Sequence, residues 1–101
     1  MIKHIVFFKL ADNAEGKTKA ENALFIKTEL ENLINSIPQI KFIEVGINSA
    51  EAPAGNFDIA LNSEFESMAD LDTYQAHPDH KRVAAYIGKV RTDRACVDYE
   101  M

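Results

Sequence analysis

The 101-residue sequence predicts an α+β domain of the ferredoxin-like type, with elements in the order β-α-β-β-α-β. Three observations carry that expectation. Strand-like segments with two-residue alternation stand at both ends of the chain, two more lie side by side in its middle, and amphipathic helical segments fill the two intervals. The second helical interval is broken by Pro78. A chain of this length forms a single domain, residues 1–101, able to bury one core without staples. Its 47% hydrophobic and 27% charged residues are the proportions of an ordinary folded protein.

The first strand is Ile2 to Leu10. Ile2, His4, Val6, Phe8 and Leu10 fall on one face, and Lys3, Ile5, Phe7 and Lys9 on the other. Both faces carry apolar side chains, so both are expected to be covered. Helices in so short a chain blanket only one sheet face, and the second face predicts a homodimer formed sheet to sheet. Asp12 to Gly16 reads as a polar connection, after which Thr18-Lys19-Ala20-Glu21 forms a capping box that opens a helix. Ala23, Ile26, Leu30, Leu33, Ile34 and Ile37 recur at helical spacing up to Pro38, with Phe25 off the stripe and available to a second subunit.

The second strand is read over Gln39 to Asn48, a Pro- and Gly-containing loop over Ser49 to Asn56, and the third strand over Phe57 to Glu66. Ser67-Met68-Ala69-Asp70 is a second capping box, opening a short helix in which Leu71 and Tyr74 share a side. Pro78 suits the first position of a new helix, with His77 as its cap and Asp79 near the positive end of the helix dipole. His80, Val83, Ile87 and Val90 form the apolar stripe of that helix, and Arg94 to Glu100 closes the chain as a strand.

Composition excludes several classes of partner. A net charge of −5 without a basic run excludes nucleic acid, whose binding needs clustered cations. No apolar run spans a membrane, and a strand starting at Ile2 leaves no room for a signal peptide, so a cytoplasmic location is expected. Cys96 is the single cysteine, which rules out an internal disulfide and fits a reducing compartment; it reads as a small core residue.

The candidate chemistry centres on Tyr74-Gln75-Ala76-His77-Pro78-Asp79-His80. Periodicity turns Tyr74 and His80 toward the core, and His4 joins them if its strand face is the helix-covered one. The three would meet in a pocket lined by Val6, Phe8, Ile26, Leu30, Ile59 and Leu61, the usual form of a small-molecule site. A helix N-terminus and burial both keep His80 neutral, fit to act as a general base, and the Tyr74 hydroxyl is a donor for a carbonyl oxygen. Asp98 is placed to orient His80. Structural readings stand beside these: His80 as a group satisfied at the helix start, His77 as a cap, Tyr74 as a core aromatic and His4 as a strand histidine. A metal held by His4, His77 and His80 lacks supporting ligand spacing, and neither metal nor cofactor is expected.

The Tyr74-x-x-His77-Pro78-x-His80 block, the opening Ile2-Lys3-His4-Ile5-Val6, Ile37-Pro38, Phe65-Glu66-Ser67 with Asp70-Leu71, and Val97-Asp98-Tyr99 together resemble the stress-responsive dimeric α/β barrel (Dabb) family over essentially the whole chain. The resemblance implies a protomer whose sheet packs on a second sheet to make a dimeric α/β barrel. The family includes the plant olivetolic acid cyclase, which closes a polyketide ring without a cofactor, with Tyr74 and His80 at its motif positions and His4 and Asp98 at further pocket positions. Ile26 and Leu30 depart from the aromatic residues that enzyme has there. The reading is therefore a cofactor-independent lyase or cyclase acting on a small carbonyl compound; the alternatives are a non-enzymatic stress-response or binding protein and, third, a cofactorless monooxygenase or isomerase.

Overall fold

In the computed structural model, which describes residues 1–101, the first strand runs through the middle of the sheet. β1 (Ile2–Leu10) is followed by two short strands, β2 (Asn13–Ala14) and β3 (Lys17–Thr18), and by helix α1 (Lys19–Asn32), which tightens into a 3-10 turn over Leu33–Asn35. Then come β4 (Phe42–Ile47), β5 (Ile59–Phe65), α2 (Met68–Ala76), α3 (Pro78–Val90) and β6 (Arg91–Glu100). The main sheet is antiparallel throughout in the order β4-β5-β1-β6, the ferredoxin-like α+β arrangement expected from the sequence.

The alternation read in β1 fixes which face is inside. Ile2, His4, Val6, Phe8 and Leu10 are buried, and so are their β5 partners Phe65, Ser63, Leu61 and Ile59 across the ladder. The helices supply Ala23, Ile26, Leu30, Leu71, Tyr74, Val83, Ile87 and Val90 to the same core. On the opposite face Ile5 and Phe7 are half-buried, while Phe42, Val97 and Tyr99 are exposed.

Local signals hold at both helix starts. Thr18 and Glu21 form the reciprocal capping box, and Ser67 Oγ accepts the Asp70 amide at 3.1 Å. Several boundaries differ from expectation. The strand read from Gln39 begins at Phe42, the one read from Phe57 begins at Ile59, and the last strand starts at Arg91, directly after α3 and without a loop. Ile34, placed in the apolar stripe of the first helix, is exposed. The 3-10 turn rotates each residue further than an α-helix does, which swings Ile34 outward while Ile37 stays fully buried. Cys96 is exposed on edge strand β6 and is not a core residue.

The polar connection over Asp12 to Gly16 contains a hairpin. Glu15 and Gly16 both take positive φ, 52° and 75°, the requirement of a tight two-residue turn whose twist matches its strands. Asn22, fully buried on α1, ties this hairpin to the helices: its Nδ2 donates to the Ala14 carbonyl at 3.1 Å, and its Oδ1 accepts the Tyr86 hydroxyl at 2.6 Å. Phe25 packs beside Tyr86, their ring centres 4.8 Å apart. On the far side, Lys27 and Glu31 bind the carbonyl and amide of Val45 and so hold edge strand β4 against α1. Asn22→Ala removes both Asn22 bonds, and we expect it to cost roughly 1–3 kcal/mol, seen as a lowered thermal midpoint with unchanged far-ultraviolet circular dichroism.

Candidate active site at the helix break

The site is built by the interruption between α2 and α3. His77 adopts an extended conformation, φ −64° and ψ 137°, and its Nδ1 accepts the Asp79 amide at 3.1 Å, so it serves as the N-cap of α3 with Pro78 in the first turn. On one unbroken helix Tyr74 and His80, six residues apart, would point about 120° away from each other. The break instead brings their rings together with centres 4.5 Å apart. Tyr74 is fully buried and also packs on Phe65 at 4.9 Å. The ring of His4 lies 6.3 Å from both Phe65 and Tyr74.

His4 reaches this cluster from β1, where it is 2% exposed. Its Nδ1 faces Asp98 Oδ1 at 2.5 Å, because the β1–β6 register sets His4 directly opposite Asp98. The expectation that Asp98 orients His80 is thereby corrected: the carboxylate lies beside His4, fixes that ring, and favours the proton on its Nδ1. The Tyr74 hydroxyl and His80 Nδ1 are both buried without a hydrogen-bond partner in the protein. His80 Nδ1 therefore caps nothing at the helix start; the capping role belongs to His77.

A cavity of about 140 Å³ opens beside these groups. His4 and His80 line it, together with Val6, Phe8, Leu30 and Leu61 from the expected apolar set. Ile26 and Ile59 do not: Ile26 is sealed in the core, and Ile59 lines a depression elsewhere on the sheet. Tyr74 stands behind His80 and not in the cavity wall. The walls also include Gln75, Arg91 and Arg94, which sequence reasoning missed. The alternation Arg94-x-Cys96-x-Asp98 placed Arg94 on the face of Asp98, and extending that face to the pocket would have found it.

Burial holds the His80 imidazole below its usual pKa; the Gln75 backbone opposes this, and the nearby charges of His4, Arg94 and His77 reinforce it. Burial alone pushes the Tyr74 phenol well above the ordinary value, so the hydroxyl stays protonated at neutral pH. The Cys96 thiol, 3.8 Å from His4 Nδ1 and 3.7 Å from Asp98 Oδ1, is likewise pushed up, by burial first and then by Asp98. His4, Cys96 and Asp98 are the one group with metal-ligating atoms in mutual reach, within 4.8 Å. Their donors fit a metal poorly, since His4 Nδ1 and Asp98 Oδ1 are engaged with each other and the thiol resists deprotonation. His77, proposed with His4 and His80 as a weak ligand set, spends its Nδ1 on the cap.

The His80 shift makes a stability prediction. A histidine whose pKa is depressed by folding binds its proton more readily when unfolded, so stability falls as pH drops below the unfolded value near 6.5 and levels off below the folded value. Denaturant titrations between pH 7.5 and 5 are expected to show this loss in the native sequence, and His80→Gln is expected to flatten it. An unchanged slope in His80→Gln would contradict the assignment.

The sequence matches the model of the Stress responsive A/B Barrel Domain, abbreviated Dabb, over residues 2–101. Two stress-response A/B barrel domain-containing proteins of Arabidopsis thaliana are similar to it. One is 32% identical over 89 residues, covering 82% of this chain and 30% of that protein. The other is 31% identical over 101 residues, covering 98% of this chain and 46% of that protein. The chain thus spans less than half the length of the curated relatives it matches. A crystal structure of a dimeric protein of unknown function and ferredoxin-like fold from Bacteroides fragilis superposes with a TM-score of 0.82 at 38% identity, covering 99% of this chain and 95% of that one. The hydroxynitrile lyase of Passiflora edulis shares the fold, with a TM-score of 0.78 at 22% identity over 99% of this chain and 92% of its own. No helix here is long and apolar enough to cross a membrane. With the family model covering nearly every residue, the chain belongs to the stress-responsive A/B barrel (Dabb) domain family.

Proposed function

We propose that this chain forms a homodimer whose protomers each bind a small carbonyl compound in the helix-break pocket and act on it by proton transfer, as a cofactor-independent lyase or cyclase. The observation that carries this reading is the presence of two buried, unpartnered polar atoms, Tyr74 Oη and His80 Nδ1, on adjacent rings tilted 58° to each other beside the cavity. Buried polar groups are normally satisfied, and leaving them unsatisfied costs roughly 1–3 kcal/mol each. A fold tolerates that cost most readily where a ligand supplies the missing partners.

In this mechanism neutral His80 takes a proton from carbon next to the substrate carbonyl. Negative charge grows on the carbonyl oxygen as that bond breaks, and donation to it from the protonated Tyr74 hydroxyl, which lies behind His80 and outside the cavity wall, requires the His80 ring to swing aside on binding. His4, held by Asp98 in the cavity wall, positions the substrate. The expected apolar lining of Val6, Phe8, Leu30 and Leu61 excludes water from the reacting carbon. The Passiflora edulis lyase illustrates that this fold accommodates lyase chemistry.

The homodimer rests on the sheet face that the helices leave open. Ile5 and Val97 are ladder partners there, with Phe7, Phe42 and Tyr99 around them, and the Bacteroides fragilis relative is described as dimeric. Sedimentation is expected to give twice 11.3 kDa, and Val97→Asp is expected to return the protein to a monomer. A stable monomer of the native sequence at micromolar concentration would refute this interface.

Turnover is tested on a panel of small β-dicarbonyl compounds and hydroxynitriles. His80→Gln is expected to lower the rate about 100- to 10,000-fold, the usual contribution of a general base, while the fold survives. Binding that saturates without any turnover would instead favour the non-enzymatic alternative.

A further inference from the structure

Eleven Lys and Arg side chains serve a protein that is acidic overall, with a net charge of −5. Six of the 11 reach a carboxylate, and Lys9 and Lys17 lie over aromatic rings. Of the three that remain, Lys81, Arg91 and Arg94, two line the cavity beside His80. That placement depends on an irregularity in the sheet. Residues three apart on a regular strand point to opposite faces. Here Arg94 pairs with Phe8, Asp93 with Lys9 and Arg91 with Leu10, so Thr92 is skipped and the β6 ladder bulges. Phe8 and Leu10 both point to the helix-covered face, and the bulge therefore turns both guanidinium groups to the same side.

We propose that the pocket selects an anionic carbonyl compound no larger than a single ring, with its acid group held by Arg91 and Arg94 and its carbonyl end facing His80. This rests on the reading of the pocket as a small-carbonyl site and adds the substrate class. The size limit follows from the cavity, about 140 Å³, close to the ~150 Å³ that accommodates benzene in an engineered core. The charge follows from two exposed guanidiniums with no carboxylate within ion-pair distance, whose planar fork matches a carboxylate. A polyketide chain of several units exceeds this volume; a short oxo acid does not.

The test uses acetoacetate and its uncharged near-isostere pentane-2,4-dione, titrated calorimetrically into the full chain at low ionic strength. Acetoacetate is expected to bind at least ten-fold more tightly. In the double variant Arg91→Gln with Arg94→Gln, its affinity is expected to fall to that of the diketone, whose own affinity stays unchanged. Both arginines are exposed, so the variant is expected to keep the native circular dichroism, and Arg94→Lys, which keeps the charge, is expected to retain part of the preference. Equal binding of the two compounds by the native sequence would overturn the anionic selectivity and leave the small-carbonyl reading intact. Binding of neither would overturn both. Inorganic phosphate binding as tightly as acetoacetate would overturn the proposal too, by reducing the arginine pair to a site for an adventitious ion only.

Discussion

The structure turns on one backbone constraint: Pro78 cannot continue α2, so the chain extends at His77 and restarts as α3. Everything polar in the pocket depends on that step. It sets the Tyr74 and His80 rings against each other, it consumes His77 as a cap, and it tilts the apolar stripe of Val83, Ile87 and Val90 onto the sheet so that His80 heads the buried side. The sheet answers from below with His4, whose position opposite Asp98 is fixed by strand register and not by any local signal. Two histidines thus occupy one pocket in different electrostatic settings: His4 beside a carboxylate, His80 half-buried and held toward its neutral form.

The same arrangement carries a stability cost that the rest of the molecule offsets. Its 19 buried hydrophobic residues, the α1 capping box, and the Lys27–Glu31 clamp on Val45 give an ordinary well-packed domain in which three buried polar atoms lack partners, Asn62 Oδ1 on β5 and, beside the cavity, Tyr74 Oη and His80 Nδ1. What sets Tyr74 and His80 apart is that their two unpartnered atoms lie on adjacent rings beside the cavity. A structural role for His80 would be expected to satisfy its Nδ1, as the cap satisfies that of His77, and Nδ1 has no partner.

Much of this was legible in the sequence because it is local. The alternation of Ile2 to Leu10, the two Ser/Thr caps and the stripe from His80 to Val90 are set by residues within a few positions of each other, and the fold class follows from their order. The missed features are non-local or depend on small changes of helix or strand phase. The partner of Asp98 required the β1–β6 register, so the sequence reading attached it to the wrong histidine. Ile34 was misplaced by the 3-10 turn, and the β2–β3 hairpin was hidden because Glu15, a non-glycine residue, takes positive φ. Arg91 escaped because a bulge reverses the face that alternation assigns to it. The pocket walls follow the same division: Val6, Phe8, Leu30 and Leu61 were found by periodicity, whereas Ile26, equally periodic, sits where neighbouring side chains close the space, and Ile59 lines a different depression.

The central claim is that the Tyr74 hydroxyl is buried for a ligand and not for the fold. Tyr74→Phe keeps the ring and removes only the oxygen, so its effect on unfolding free energy isolates that oxygen. With no partner in the protein, the hydroxyl contributes no stability, and the substitution is expected to leave chemical denaturation unchanged or shift it to higher denaturant while weakening ligand binding or turnover. A loss of more than about 1 kcal/mol, the size of a made hydrogen bond, with function intact would show that the hydroxyl serves the core and would contradict the account.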